Sequence, residues 1–274
     1  MLRTIKRRAR ETLAAVQYNR YSRHLSAYDI DLSFTQAAQR FSTRQELYRY
    51  MHHYFHHLAP KELREHREWF SRENRGFGED AFHAMWFLLL REFRPQRCLE
   101  IGVYRGQIIS LWALIADLLG LRGEIHGISP FSSAGDQVSS YVEIDYLSDT
   151  LQSFAKFSQK KPELLKAYST DPAARDYIAS KQWDMIYIDG SHDFDIVLSD
   201  YRLSLSSLAL GALLVMDDSS LRSDYRPLLF SFGGHPGPSD VFDKIAAQEM
   251  KFLGGVGHNN VLVKTRTTED GATK

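Results

Sequence analysis

The pattern of apolar and polar positions changes near Gly78. Residues 1–77 mix Arg, His, Tyr and Glu without a strand-like run, which predicts several short helices. Beyond that point Ala81, Phe82, Met85, Leu88, Leu89 and Phe93 mark an amphipathic helix that Pro95 helps to end. Short apolar runs then alternate with helical stretches. Arg97 to Val103, Glu124 to Ser129, Leu164 to Tyr168, Trp183 to Asp189 and Ala212 to Asp217 read as strands. Gly106 to Leu119 and Phe194 to Leu208 read as helices, and another begins at Pro172 with Asp171 as its cap. A polar loop is expected after the second strand.

Such alternation means parallel strands joined by crossover helices. The end differs, because Lys251 to Val256 and Asn260 to Lys264 flank the short link Gly257-His258-Asn259 and predict an antiparallel hairpin. The expected fold is a Rossmann-like open α/β sheet, mostly parallel with a C-terminal antiparallel hairpin and helices on both faces. Residues 1–77 form a helical extension suited to a lid or a homo-oligomer contact, 78–266 the sheet domain, and 267–274 a flexible tail. Ligands of open sheets bind at the carboxyl ends of the strands. Informative residues should therefore follow each apolar run.

Composition narrows the function by exclusion. The 274 residues carry 34 basic and 34 acidic side chains, so no net field favours nucleic acid or an anionic membrane. Arg3, Lys6, Arg7, Arg8 and Arg10 read as a solvated terminus. One cysteine, Cys98, precludes an intrachain disulfide and reads as core. No apolar run is long enough to span a bilayer, and the start lacks a signal-peptide core, so a cytoplasmic location is expected. Trp86 and Trp112 read as core. His52, His53, His56 and His57 have helical spacing that suits a metal. No carboxylate or cysteine partner is distinctive, so a polar helix face is the expected reading.

Two constellations carry chemistry. Glu100-Ile101-Gly102-Val103-Tyr104-Arg105-Gly106 follows the first strand. Tyr104 stands where a dinucleotide fingerprint has its second glycine, which disfavours a pyrophosphate across the turn. An acid at the strand end suits an ammonium-bearing ligand instead, such as the methionine part of S-adenosylmethionine. The second is Asp189-Gly190-Ser191-His192 with Asp217-Asp218, each group closing an apolar run. Three carboxylates on one edge would repel each other and raise their own pKa values. A divalent cation relieves that, and an all-oxygen set suits Mg²⁺ or another divalent cation.

From Gly78 to Lys264 these residues resemble the class I S-adenosylmethionine-dependent methyltransferases, and more narrowly the metal-dependent small-molecule O-methyltransferases of catechol and macrolide-sugar types. The resemblance implies that Glu100, Gly102, Tyr104 and Gly106 form the first cofactor motif. It implies adenine contacts from Ser169 and Thr170, a metal held by Asp189, Asp217 and Asp218, and catalysis by Asp189 and His192. The macrolide-sugar branch carries a histidine at the His192 position, where the catechol branch carries lysine. The family's ribose-binding acid after the second strand is missing. Ser129 stands there, or Asp136 substitutes.

The function implied is O-methylation of a small hydroxylated acceptor, sugar-containing by the His192 variant. No nucleic-acid partner is expected. The competing readings are a nucleic-acid or protein methyltransferase and a cofactor-binding protein without catalysis. His258 and Asn259 could reach the same edge and touch substrate, but a plain hairpin turn is the expected reading.

Overall fold

A computed structural model describes residues 16, 27–72, 75–133, 142–227 and 232–265. The basic N-terminal run, Asp136 and the tail lie outside the described residues. The described helices before the sheet are α1 (Phe34–Arg40), α2 (Arg44–His57) and α3 (Lys61–Ser71). They are followed by α4 (Asp80–Phe93), β1 (Arg97–Ile101), α5 (Gln107–Leu119), β2 (Glu124–Ser129), α6 (Tyr146–Lys156) and β3 (Glu163–Lys166). Then come α7 (Pro172–Ala179), β4 (Trp183–Ile188), α8 (Phe194–Ser207), β5 (Leu208–Met216) and α9 (Pro236–Val241). A π turn extends α9 before the pair β6 (Lys251–Val256) and β7 (Asn259–Val263).

The strands order as β3-β2-β1-β4-β5-β7-β6, with β7 antiparallel to β5 and to β6. The remaining pairs are parallel, as the alternating pattern predicts. Central strands are buried on both faces, which is why they read as continuous apolar runs. Met185 and Tyr187 of β4, Leu213 and Val215 of β5, and Val261 of β7 enter one core with Trp86 and Trp112. Ile186, Ile188, Leu214, Met216 and Leu262 enter the other, against Val197 and Tyr201 of α8. Phe34, Leu47, Met51 and Leu63 of α1 to α3 belong to the first core, so these helices pack continuously with the sheet. Cys98 is buried as expected.

Two expectations change. The stretch after β2 is not all loop: α6 is a helix whose buried side chains are Tyr146, Thr150, Ser153 and Phe154. Three of those four side chains carry hydroxyls, which hides the helical period. Asp171 sits at the N-cap of α7 but makes no side-chain cap bond there. Its carboxylate instead accepts the Tyr168 amide at 2.9 Å. No helix among the described residues is long and apolar enough to cross a membrane.

Candidate active site

Register brings the chemistry-bearing residues into one row. Ile101 pairs with Ile188, Ile188 with Met216, and Met216 with Asn260. One step past these ends lie Gly102, Asp189 and Asp217 side by side. Because β7 runs antiparallel, the residues before Asn260 return to the same edge and deliver His258 beside Asp217 and Asp218. The sheet reverses its order between β1 and β4, where open α/β sheets form their ligand crevice.

At the β1 end, Gly102 has φ +108, and a Cβ there would sit 2.0 Å from the Asp189 carbonyl oxygen. Only glycine lets the two strand ends meet so closely. Gly106, at φ +78, caps α5 and abuts Thr150 of α6. Glu100 is buried, and Ile109 donates a backbone hydrogen bond to its carboxylate. Burial pushes its pKa up to about 8, with repulsion from Asp217 adding to it. Its Oε2 is buried and accepts no hydrogen bond. A buried acceptor in that state fits a cationic donor such as a ligand ammonium.

Two cavities meet at this row. One, of about 240 Å³, is lined by Gly102, Tyr104, Ser129, Tyr168, Ser169 and Thr170 among others. It gathers the residues expected to contact the nucleoside. Ser129 Oγ accepts the Phe131 amide at 3.3 Å and stands where a ribose acid was missing. Ser169 is tied to the buried carboxyl of Asp200, which burial pushes up to about 6. The other cavity, of about 430 Å³, reaches from Glu100 and Gly102 past Asp189, His192, Asp217 and Asp218 to Phe77, Glu79 and Phe232. That volume suits a small molecule. Gly102, Tyr104, Asp189 and Gly190 line both.

The acids are embedded among imidazoles. His192 Nε2 is 2.8 Å from Asp218 Oδ2, and His235 Nε2 lies 3.9 Å from the same oxygen. His258 Nε2 is 3.3 Å from Asp217 Oδ1 and 3.9 Å from Asp218 Oδ1. Burial and then repulsion from Asp217 push the Asp189 carboxyl well above the carboxylate range, and it hydrogen-bonds to Asp217. Burial opposes the charge on Asp217, but His258, Asp189 and Tyr187 outweigh it and hold its pKa at about 2. Burial likewise opposes charge on His258, yet Asp217, Asp218 and Glu79 raise it to about 10.

Ligand atoms of Asp217, Asp218 and His258 lie within 4.8 Å of one another, as do those of His192, Asp218 and His235. This mixed nitrogen and oxygen donor set fits a divalent cation. It differs from the all-oxygen set expected, and Asp189 belongs to neither group although it touches Asp217.

The sequence reading missed His235 and the ties of Arg105, and put Asn259 in the link instead of in β7. His258 lies in the hairpin turn, and the antiparallel register also brings it to the acids at the sheet edge. Asn259 is buried as the first residue of β7, where Arg44 Nη1 donates to its carbonyl at 3.0 Å. His235 arrives through a loop whose ends pair at Ser219 and Gly234. Its position before Pro236 is the only sequence signal, and a weak one. Arg105, inside the glycine turn, donates to Asp149 of α6 at 2.7 Å and 2.9 Å, and Arg75 joins at 2.7 Å.

The strand order is that of the class I methyltransferase fold. Residues 99–219 match a family model described as a methyltransferase domain. Similar solved structures include a methyltransferase of Podospora anserina bound to SAH, at 16% identity and TM-score 0.55, covering 87% of this chain and 99% of that one. An O-methyltransferase of Bacillus cereus in complex with SAH has 14% identity and TM-score 0.52, covering 77% of this chain and 96% of that one. TomG, an O-methyltransferase of Streptomyces achromogenes involved in tomaymycin synthesis and solved with SAM, has 16% identity and TM-score 0.51, covering 81% and 99%. A comparison with curated proteins finds no match. Residues 99–219 thus resemble a methyltransferase domain, and the chain shares its fold with solved methyltransferases, O-methyltransferases among them.

Proposed function

We propose that the protein transfers a methyl group from S-adenosylmethionine to a hydroxyl of a small, sugar-containing acceptor, assisted by a divalent cation. The observation that carries this reading is the junction of the two cavities at Gly102 and Asp189, with the acid and imidazole cluster on the acceptor side. The donor supplies a sulfonium methyl that is already electrophilic. Glu100 binds its ammonium, Ser169 and Thr170 flank the adenine, and Ser129 serves the ribose.

An alkyl hydroxyl is a poor nucleophile at neutral pH. Asp217, Asp218 and His258 would hold the cation, with Asp189 beside them and His235 near Asp218. A cation there would lend Lewis-acid stabilisation to a developing alkoxide. His192 takes the hydroxyl proton as general base, its ring oriented by Asp218 at 2.8 Å. Phe77, Phe82, Tyr104 and Phe232 wall the acceptor space, exclude water and offer flat faces to a ring. Much of the acceleration then comes from holding oxygen and methyl in near-attack geometry. An acceptor with two adjacent oxygens suits the arrangement, because both reach the cluster at once.

Turnover with a panel of hydroxylated glycosides and catechols, with and without chelator, tests the reading. Asp217→Ala should abolish metal-stimulated turnover while sparing cofactor binding. His192→Ala should lower turnover by about 10²–10⁴-fold, the usual worth of a general base. Chelator-insensitive methylation would refute the metal's part and leave only the transferase.

A further inference from the structure

A second ligand cluster lies on the N-terminal helices, apart from the strand ends. His52 and His56 are one turn apart on α2, so their rings share a face, with centroids 4.5 Å apart. Asp80, the first residue of α4, meets that face. Its Oδ2 is 3.0 Å from His56 Nε2 and 3.9 Å from His52 Nε2. Ligand atoms of all three lie within 4.8 Å of one another. Arg67 of α3 donates from Nε to the other oxygen, Oδ1, at 3.1 Å. The carboxylate is thereby oriented with Oδ2 towards the imidazoles, the role that outer partners of metal ligands usually play. His53 and His57 stack on each other, and His53 pairs with Asp29, so neither belongs to the cluster.

The spacing matches a transition-metal site. Tetrahedral bonds of about 2.0–2.1 Å put neighbouring donors roughly 3.3 Å apart. The two observed separations bracket that value. His56 and Asp80 now share a hydrogen bond, and a metal entering there would release its proton to solvent.

We infer that His52, His56 and Asp80 form a binding site for one divalent transition metal of the Zn²⁺ type, with water completing the coordination. Two imidazoles and one carboxylate are a donor set that prefers such ions to Mg²⁺ or Ca²⁺. The site clasps α2 to the start of α4. It adjoins Glu79, which lines the acceptor cavity and accepts the Tyr48 hydroxyl of α2. Its role is structural: it sets the wall of that cavity without touching the reacting atoms.

Equilibrium dialysis of the full chain against Zn²⁺ tests this, comparing wild type with His56→Gln and Asp80→Asn. Asp217, Asp218 and their histidines are untouched, so any ion held at the strand ends is common to all three proteins and cancels. Wild type should bind one equivalent more than either variant, or bind it at least about tenfold tighter, the usual effect of losing one contact to a metal site. Zn²⁺ should also raise the wild-type Tm by an increment the variants lack, since binding only the folded state stabilises it. His56 is partly exposed, and a similar Tm for wild type and His56→Gln in chelator would show that the variant folds. Equal uptake and an equal Tm increment would overturn the site. Failure of metal-dependent turnover would not, because that reports on the other cluster.

Discussion

Replacing Asp149 by asparagine tests whether the glycine turn is held from outside. Asp149 accepts charge-assisted hydrogen bonds from Arg105 at 2.7 Å and 2.9 Å and from Arg75 at 2.7 Å. The side chains are only 13%, 6% and 11% exposed for Asp149, Arg105 and Arg75, so water screens them little. Asparagine keeps the shape and removes the charge, leaving two poorly hydrated guanidinium groups facing a neutral amide. Breaking such a buried pairing costs about 3–5 kcal/mol. For a chain of this size each kcal/mol moves Tm by roughly 2–4 °C, so a fall of roughly 6–20 °C is expected by calorimetry. Arg105 lies between Gly102 and Gly106, so a loosened turn should also weaken S-adenosylhomocysteine binding about tenfold, or ~1.4 kcal/mol.

The pH dependence gives an independent check. Burial raises the Asp149 pKa, but its bonds to Arg105 and then Arg75 outweigh burial and leave it lowered. A depressed carboxylate contributes stability that is complete above the unfolded value of about 3.9 and is lost as pH falls through the folded one. The gap between wild type and Asp149→Asn should therefore be full at pH 7 and narrow only below about pH 4. A Tm unchanged at pH 7, with unaltered cofactor affinity, would refute the clamp.

Glu100→Gln should weaken S-adenosylhomocysteine binding tenfold or more by calorimetric titration, through loss of about 1.5 kcal/mol of charge-assisted bonding. The same change should steady the apo protein: an acid raised to about 8 when folded loses stability as pH climbs from about 4 towards 8, and glutamine does not. Gly102→Ala should destabilise by about 3 kcal/mol or more in denaturant titration, because φ +108 is strained for alanine and the new Cβ meets backbone 2.0 Å away. His235→Ala should lower turnover about 10–100-fold with cofactor affinity unchanged.

The sheet was legible because Ile186, Ile188, Leu214 and Met216 are buried on strands with no polar face to interrupt them. The ends of β2 and β6 were read correctly, whereas β4 and β5 were read one residue too far, since Asp189 and Asp217 follow the last paired residue without a turn signal. The acids and His192 were legible for the same reason: each stands at the end of an apolar run. His235 was not, because it depends on loop closure, and His258 was legible only in part, because its approach to the acids depends on strand register. Asp80 was invisible as a partner of His52 and His56 because it comes from the next-but-one helix. Arg105 occupied a variable position of the glycine motif, and its value depends on Asp149, on a helix masked by hydroxyls.

The two cavities also explain why glycine is required where it is. In the proposed reaction the methyl group crosses the lining that the two cavities share, and Gly102 and Gly190 are two of its residues. A side chain at position 102 would push β1 away from β4 and separate Glu100, the proposed ammonium site, from the acids at Asp189 and Asp217. The buried Glu100 and Asp217 already raise each other's cost of ionisation, so they are near enough to sense one charge. A cation at either position eases the other. In the proposed reaction the donor's ammonium and sulfonium enter a site whose buried acids favour them, and the acceptor meets the same field from the opposite cavity.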